Sequence, residues 1–460
     1  MLWGLVLVVL FNLGSSRRDT AKTLSEFAQP SWHWSAASLL RLARAHLCDD
    51  ESSRLYLIYA GAALGRPVDT IYLRTTEQWL EIFLQIAGGA SPKLPPVAPI
   101  TRPLVPYRDY LVEYPPGFFL WVLPPAWLTD HPLGYALIFS LWMALLLSLA
   151  LILAQRIALP VFGCSQSLLP GALAAVLCLG TVCTHRYDAA IALLLSAALL
   201  FCIQDRGLLS GAALGLAVAS KGAPLLVAPL FLLYLIRQQR YRTLRFALLG
   251  GLVTFGLVVF PFYALAGSRL GDAVRYHTLR PLQIESTWAA LTGLLAPPGA
   301  VRVAFTFGAR SLLGPFAERF AHAATPAILV GLGTCYGFVG RRLWAARDSA
   351  AQQRYLVCGV LAALTIFMVF GKVFSPQYLV WILPLGVLVS IAQSRAERGI
   401  FLAVIALTQL IYPIVYRLAD YPLFALEPWA LSLVLVRNLL LLLWAVKILA
   451  RAGYATVSAP

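Results

Sequence analysis

The sequence predicts an all-α, polytopic membrane protein of about twelve transmembrane helices, with a long first outer loop that carries interfacial helices. Hydrophobic residues make up 60% of the 460 residues and charged residues 12%, about half the charged share of a soluble domain. Long uncharged runs recur from residue 116 almost to the end. Basic residues lie in short clusters between these runs, as membrane topology requires.

The composition also excludes several classes of protein. A formal net charge of +16 would indicate a nucleic-acid partner in a soluble protein. Here the clustered bases are explained by membrane topology, so we expect the lipid bilayer as a partner and no nucleic acid. The seven cysteines contain no CxxC pair, so they predict neither a metal site nor a disulfide framework.

The apolar runs define the candidate transmembrane spans. A spanning helix needs roughly 20 apolar residues, and residues 133–155 contain no charge at all. The predicted spans are residues 2–14, 133–155, 168–184, 189–203, 208–220, 223–236, 246–266, 326–340, 355–371, 378–393, 399–416 and 429–446.

Basic clusters predict the orientation of these spans. The clusters at 237–245, 341–354, 395–398 and 447–451 fall on one side if the spans alternate, and the positive-inside rule places that side, with both termini, in the cytoplasm. In a bacterium this is the plasma (inner) membrane, with the polar motifs on its extracytoplasmic face. The predicted division is 1–14 (first transmembrane helix), 15–132 (outer loop with acidic motifs), 133–266 (helices 2–7), 267–325 (outer loop with a basic motif) and 326–460 (helices 8–12 and tail).

The first outer loop is too polar for lipid and too long to lack structure. We expect helices over residues 52–64 and 70–87, and a linker over 91–106, which contains six prolines. Residues 117–128 are interpreted as an interfacial or half-inserted helix, because Pro124 and Pro125 interrupt the apolar run. A spanning helix there would change the parity of the topology.

Acidic residues occur in two motifs of this loop. CDDESSRLYLIYAGAALG places Asp50 and Glu51 directly before a predicted helix, where they either cap the helix or act as a general base. YRDYLVEYPPG places Asp109 and Glu113 four residues apart, on one face if helical, as they would be to bind a metal or position a sugar. The alternative is an interfacial belt of tyrosines with two solvated acids.

Charged residues also interrupt two predicted helix ends on the outer side. HRYDAA contains Arg186 and Asp188, and SKGAP contains Lys221. Ionisable groups there are functional or snorkel to the interface. Gly222 and Pro224 break the helix beside Lys221, which favours binding of a phosphate.

Two later segments carry further polar residues to the same side. RYHTLRPLQIES contains His277, Arg280 and Glu285, and GKVFSPQYLVWILP contains Lys372, Gln377 and Tyr378. A solvated loop is the alternative interpretation of the first segment. Basic groups from three separated segments therefore converge on one face, and a lipid-linked phosphate or pyrophosphate is their natural partner.

These motifs resemble the GT-C superfamily of integral membrane glycosyltransferases. DDESSRLYLIYAGAALG resembles the start of the first outer loop in protein O-mannosyltransferases and aminoarabinose transferases. VPYRDYLVEYPPGF and FSPQYLVWILPL are similar to segments of polyprenyl-phosphate-mannose-dependent α-mannosyltransferases. SKGAP resembles a Lys-Gly-Pro element that contacts the donor phosphate, and RYD resembles an outer-turn aspartate motif.

The resemblance implies transfer of a sugar, such as the hexose mannose, from a polyprenyl phosphate to an acceptor hydroxyl, with inversion. The acceptor would be a glycan, a glycolipid or a protein. The implied catalytic residues are Asp50, Glu51, Asp109 and Glu113, with Asp50 as the base. The implied phosphate ligands are Lys221, His277, Arg280 and Lys372. The implied substrate-positioning residues are Arg186, Asp188, Glu285, Gln377 and Tyr378. The resemblance implies no particular cofactor, and assistance by a divalent cation, Mg²⁺ or Mn²⁺, is left open.

Two other classes compete with the enzyme. A polytopic transporter or lipid flippase would show internal repeats and ionisable groups near the bilayer midplane, whereas the charges here gather at one end of the predicted helices. A non-catalytic subunit of a cell-envelope assembly is the second alternative.

Overall fold

The computed structural model describes residues 51–69, 73–87, 89, 100, 102–418 and 421–453. The predicted span at 2–14 and the candidate base Asp50 lie outside the described residues. The described chain is predominantly helical, which confirms the predicted all-α polytopic membrane fold.

The described residues before residue 132 contain three helices. They are α1 (Glu51–Ala63), α2 (Thr76–Ala87) and α3 (Phe119–Leu128), the last preceded by the 3₁₀ turn Pro116–Phe118. Helices α1 and α3 lie where the sequence predicts them, and α2 begins six residues after the predicted start at residue 70. With ten residues, α3 is about 15 Å long, which is too short to cross a bilayer.

The remaining described helices comprise the membrane bundle and two short helices within residues 267–325. They are α4 (Pro132–Phe162), α5 (Leu169–Leu179), α6 (Asp188–Ile203), α7 (Gly207–Ser220), α8 (Ala228–Arg237), α9 (Tyr241–Ala266), α10 (Asp272–Leu279), α11 (Thr287–Leu295), α12 (Pro315–Ala345), α13 (Ser349–Phe370), α14 (Tyr378–Gln393), α15 (Arg395–Gln409) and α16 (Pro428–Arg451). Each predicted span from 133 onward coincides with a helical segment. Among the described residues six helices are long and apolar enough to cross a membrane, and six shorter ones are apolar.

Contacts between neighbouring helix ends lie at both ends of the bundle. At one end the start of α6 contacts the end of α7, where Lys221 Nζ lies 2.6 Å from Asp188 Oδ1. At the other end Arg237 Nε, on α8, donates to the carbonyl of Leu343, on α12, at 3.1 Å. The polar motifs and the basic clusters therefore occupy opposite ends, which is the arrangement that the predicted topology requires. Which end faces the cytoplasm stays a prediction.

Helices α7 and α9 pack with their backbones almost in contact. A Cβ atom at Gly211 would lie 1.8 Å from the carbonyl oxygen of Ala247, and one at Gly215 would lie 2.3 Å from that of Gly251. Small residues four apart permit this approach between membrane helices, where dispersion replaces the hydrophobic effect. The close pair holds Lys221, at the end of α7, in a defined place.

A small antiparallel sheet, which the sequence did not predict, covers the polar end of the bundle. Its strands are β1 (Leu282–Gln283), β2 (Arg302–Thr306) and β3 (Ala309–Leu313), in the order β1-β3-β2. Phe307 and Gly308 join β2 to β3, and both have positive φ, as a two-residue hairpin turn requires. The strands are too short to give a periodic pattern.

Candidate functional site

A cavity of about 1360 Å³ lies at the polar end of the bundle. This volume exceeds the usual range for a single small-molecule site, so the cavity has room for two substrates. Nine of the predicted site residues line it: Glu113, Arg186, Lys221, His277, Arg280, Glu285, Lys372, Gln377 and Tyr378. Residues from five separate stretches of sequence thus meet in one place.

Lys221 is held by a carboxylate and three aromatic rings. Its Nζ lies 2.6 Å from Oδ1 of Asp188, and it lies 4.9 to 5.2 Å from the ring centroids of Tyr187, Tyr378 and Trp381. The indole N–H of Trp381 donates to the same Asp188 oxygen. Asp188 therefore lies behind the cavity wall as the counter-ion of Lys221.

Three other basic residues bring positive charge to the cavity. Arg280 Nε is buried and has no hydrogen-bond partner among the described residues. Lys372 Nζ donates to the carbonyl oxygen of Thr278 at 2.8 Å, and Arg186 lines the same cavity. His277 contacts the carbonyl oxygen of Glu113 through Nε2 at 2.8 Å, and because a carbonyl only accepts, Nε2 carries the proton.

Glu113 brings a carboxylate to the same cavity. The hydroxyl of Tyr59, on α1, donates to its Oε2 at 3.2 Å. Burial raises the pKa of the Glu113 carboxyl, and the positive charges of Arg280 and Arg186 oppose that increase. A carboxylate with a raised pKa is a stronger base than an ordinary glutamate.

Asp109, the partner of Glu113 in the sequence motif, lies outside the cavity lining. Its carboxylate accepts from the backbone N–H of Val105 at 2.8 Å and from Arg108 Nε at 2.9 Å. These bonds close the loop before Tyr110 instead of reaching toward the substrate space. The two acids do not share a helical face, because residues 105–115 form no helix.

The tyrosines of this motif are structural. Tyr107 donates to the carbonyl of Tyr114 at 2.6 Å, and Tyr110 donates to that of Tyr59 at 3.0 Å. Both rings are buried, so they are not the solvated interfacial belt that the alternative interpretation describes. They hold the loop that carries Glu113.

Part of the cavity wall is apolar and comes from membrane helices. Phe255 and Val259 lie on α9, and Ala324 and Ile328 lie on α12. Only 6% of the most apolar stretch of α9 is buried inside the protein, so most of the surface of this helix faces outward. One part of the cavity lining is therefore cationic, and another part is apolar.

A buried ion pair that the sequence analysis missed supports one side of the cavity. Arg437, on α16, and Glu285 are 0% and 1% exposed, and Arg437 Nη2 lies 3.7 Å from Glu285 Oε2. Arg437 Nη2 and Asn438 Nδ2 also donate to the Glu285 carbonyl at 3.1 and 3.3 Å, and Tyr416 donates to Oε1 at 2.9 Å. Burial raises the pKa of Glu285 to about 7, against the lowering effect of Arg437.

A signal for Arg437, although not for its pairing with Glu285, was present in the sequence. Arg437 and Asn438 lie in the middle of the apolar run at 429–446, and an ionisable residue inside a membrane span is functional by default.

Metal ligands are not clustered in the described part of the chain. Among those residues no three His, Cys, Asp or Glu side chains are grouped so that they could hold an ion. The acidic residues at 49–50 lie outside the described chain, and the side chain of Glu51 is not described either.

Together, the helical bundle and its cationic cavity define a multi-pass integral membrane protein with a site for an anionic ligand. The chain belongs to glycosyltransferase family 87, whose model matches residues 111–376, more than half of its length. It is therefore a membrane glycosyltransferase, as its resemblance to the GT-C superfamily implies. This membership favours the enzyme over the transporter, the flippase and the non-catalytic subunit.

Comparison with curated proteins gives no match. Two solved structures are similar in outline. A crystal structure of ArnT from Cupriavidus metallidurans bound to undecaprenyl phosphate has a TM-score of 0.41 and 14% identity, and covers 92% of this chain and 78% of ArnT. The apo crystal structure of the same protein has a TM-score of 0.39 and 16% identity, with coverages of 91% and 78%.

Proposed function

We propose that this glycosyltransferase moves one hexose, such as mannose, from a polyprenyl phosphate to an acceptor hydroxyl on the extracytoplasmic face of the membrane. The observation that carries the proposal is the composition of the cavity. The cationic side chains of Arg186, Lys221, Arg280 and Lys372 and two carboxylates lie in its lining, together with apolar residues of two membrane helices. A phosphate on a prenyl chain matches both parts, because the anion needs positive charge and the chain needs an apolar surface.

The donor phosphate would bind to basic residues that line the cavity. Lys221 is paired with Asp188, so Arg280 and Lys372, which form no ion pair within the described residues, supply most of the attraction. Arg280 contributes a buried Nε that has no hydrogen-bond partner among the described residues. His277 donates to Glu113, so it helps to hold the loop of Glu113 beside the phosphate.

The reaction would be a single inverting displacement. The acceptor oxygen forms a bond to the anomeric carbon, the bond from that carbon to the phosphate oxygen breaks, and the phosphate departs with the electron pair. Positive side chains stabilise the charge that develops on the leaving phosphate. Gln377, Tyr378 and Glu285, which line the cavity, would position the sugar.

Asp50 is proposed as the base that takes the proton of the acceptor hydroxyl. Support comes from the sequence motif and from α1, which begins one residue later. Tyr56 and Tyr59 of α1 contact cavity-lining residues: the Tyr56 ring lies 6.0 Å from that of Tyr187, and Tyr59 bonds Glu113. Glu113 would then accept a hydrogen bond from a sugar hydroxyl, and a divalent cation stays open.

The test is release of free polyprenyl phosphate by the purified protein in lipid nanodiscs. Polyprenyl-phosphate mannose and polyprenyl-phosphate glucose serve as donors. Binding of polyprenyl phosphate itself is measured for the wild type, Arg280→Gln and the control Arg319→Gln, which removes an exposed charge away from the cavity. We expect Arg280→Gln to weaken binding about ten- to a hundredfold and Arg319→Gln to leave it unchanged. Failure of the wild type to bind polyprenyl phosphate contradicts the proposal.

A further inference from the structure

The sheet side of the cavity carries a cationic side chain that the donor site does not use. Arg310, on β3, lines the cavity and is exposed. Within the described residues, no carboxylate lies within ion-pair distance of its guanidinium. Arg310 lies in a short strand outside every sequence motif, so no local pattern marks it.

Aromatic rings flank the Arg310 guanidinium. Its central carbon lies 4.9 Å from the ring centroid of Phe424 and 5.7 Å from that of Phe305. A guanidinium held against aromatic faces keeps its N–H groups at its edge, where they match a carboxylate or phosphate in a two-bond geometry. Arg310 is thus positioned to bind an anion, and no carboxylate of the described residues forms an ion pair with it.

The same rings continue into a larger aromatic surface. Phe424 stacks on Tyr421 with centroids 5.9 Å apart, and it contacts Tyr416 edge-on at 5.1 Å. Tyr421 is 58% exposed and Phe305 is 49% exposed, although both line the cavity. Exposed ring faces pack against the C–H faces of sugar rings, and the phenol hydroxyls of tyrosines add hydrogen-bonding groups.

This surface is built by chain segments other than those of the donor site. Arg310 and Phe305 lie on the hairpin of β2 and β3, and the three other aromatic residues follow α15 in the chain. Lys221, Arg280 and Lys372 instead lie at the ends of α7, α10 and α13. The two parts are joined through β1, since the backbone N–H of Ile284 donates to the Arg310 carbonyl at 3.0 Å. Tyr416 is fixed by its bond to Glu285.

We propose that Arg310 and the rings of Phe305, Tyr416, Tyr421 and Phe424 form the acceptor subsite, and that the acceptor is a glycan or glycoconjugate bearing a carboxylate or phosphate. The role of this surface as an acceptor subsite rests on the function proposed above, whereas its binding of an anionic sugar rests on the geometry alone. A protein acceptor without charged sugar would not use both features of this surface.

The experiment uses sugar probes that differ in one group. Phenyl β-D-glucuronide carries a carboxylate where phenyl β-D-glucoside carries a hydroxymethyl group, and phenyl β-D-glucoside 6-phosphate carries a phosphate. Affinities for the full-length protein in nanodiscs are measured by saturation-transfer NMR for the wild type, Arg310→Gln, Arg310→Lys and the control Arg319→Gln.

We expect the wild type and Arg319→Gln to bind at least one anionic probe about tenfold or more tightly than the neutral glucoside. Arg310→Gln should lose that preference, about a ten- to hundredfold change, and Arg310→Lys should keep only part of it because an ammonium lacks the planar fork. Whether the glucuronide or the phosphate binds more tightly tells which anion the acceptor carries.

Two results would overturn the proposal. One is equal binding of charged and neutral probes by the wild type. The other is a loss of polyprenyl phosphate binding in Arg310→Gln as large as that in Arg280→Gln, because Arg310 would then belong to the donor site. Absence of polyprenyl phosphate binding in the wild type, with the sugar preference intact, would instead contradict only the function proposed above.

Discussion

Lys221 Nζ and Asp188 Oδ1 lie 2.6 Å apart, and this pair joins the end of α7 to the start of α6 at the wall of the cavity. The side chain of Asp188 is 2% exposed and that of Lys221 15%. Removal of one partner from a buried pair leaves the other charge without compensation, which costs more than the pair itself contributes.

Lys221→Met should therefore destabilise the protein by about 3 to 5 kcal/mol, a larger effect than the loss of a snorkelling side chain. The double variant Lys221→Met/Asp188→Asn removes both charges and should recover most of that loss. Thermal unfolding in detergent measures both. If Lys221→Met unfolds at the wild-type temperature, Asp188 is not its counter-ion.

Asp50 and Asp109 should differ in how much they contribute to activity. Asp50→Asn should reduce turnover by the ~10²- to 10⁴-fold expected when a general base is lost, with the fold intact because asparagine also caps helices. Asp109→Asn should change turnover less than tenfold, because Asp109 bonds Val105 and Arg108 outside the cavity. Initial rates of donor consumption decide the matter, and the reverse ranking would make Asp109 the base.

Glu113 should control the acid side of the pH profile. Burial raises its pKa above the ordinary value of 4.5, so it takes up a proton at a higher pH than an exposed glutamate. Activity that needs the ionised carboxylate is then complete above the raised pKa and is lost as the pH falls through it. In Glu113→Gln the residual kcat/KM should lack this acid limb. An unchanged limb in that variant would assign the titration to another group.

Arg437 should matter for stability through Glu285. Arg437→Met leaves the Glu285 carboxylate buried without its counter-ion, so we expect a loss of about 3 to 5 kcal/mol. The double variant Arg437→Met/Glu285→Gln should recover a large part of the lost stability. Its residual activity shows how strongly the segment that carries Arg280 and Gln283 depends on the ion pair for its position. A double variant no more stable than Arg437→Met would show that the charge pair is not the source of the effect.

The predicted topology can be tested at two exposed positions. Ser349 begins α13 at the basic end, and Ser268 follows α9 at the cavity end. In a cysteine-free background, Ser349→Cys should react with a membrane-impermeant thiol reagent only from the cytoplasm, and Ser268→Cys only from outside. Labelling of both cysteines from one side would contradict the alternation of spans.

The sequence by itself determined the helices from residue 133 onward and the end of the bundle where the polar motifs lie. Apolar runs and the charges that end them are local properties, so the helices from residue 133 onward could be predicted with small errors at their boundaries. The polar motifs at 185–190, 220–224 and 372–378 follow the same logic, since a cluster of polar residues between two apolar runs favours a helix end.

Only the tertiary structure decided which of these charges pair with each other. Asp188 and Lys221 are 33 residues apart, and Glu285 and Arg437 are 152 apart. Asp109 and Glu113 are four apart, yet one closes a loop and the other lines the cavity. Contacts between segments that are distant in the sequence depend on how the helices pack against each other. They also depend on which backbone groups this packing leaves without a hydrogen bond. No local pattern carries that information, so neither the ion pairs nor the aromatic surface around Arg310 was predicted.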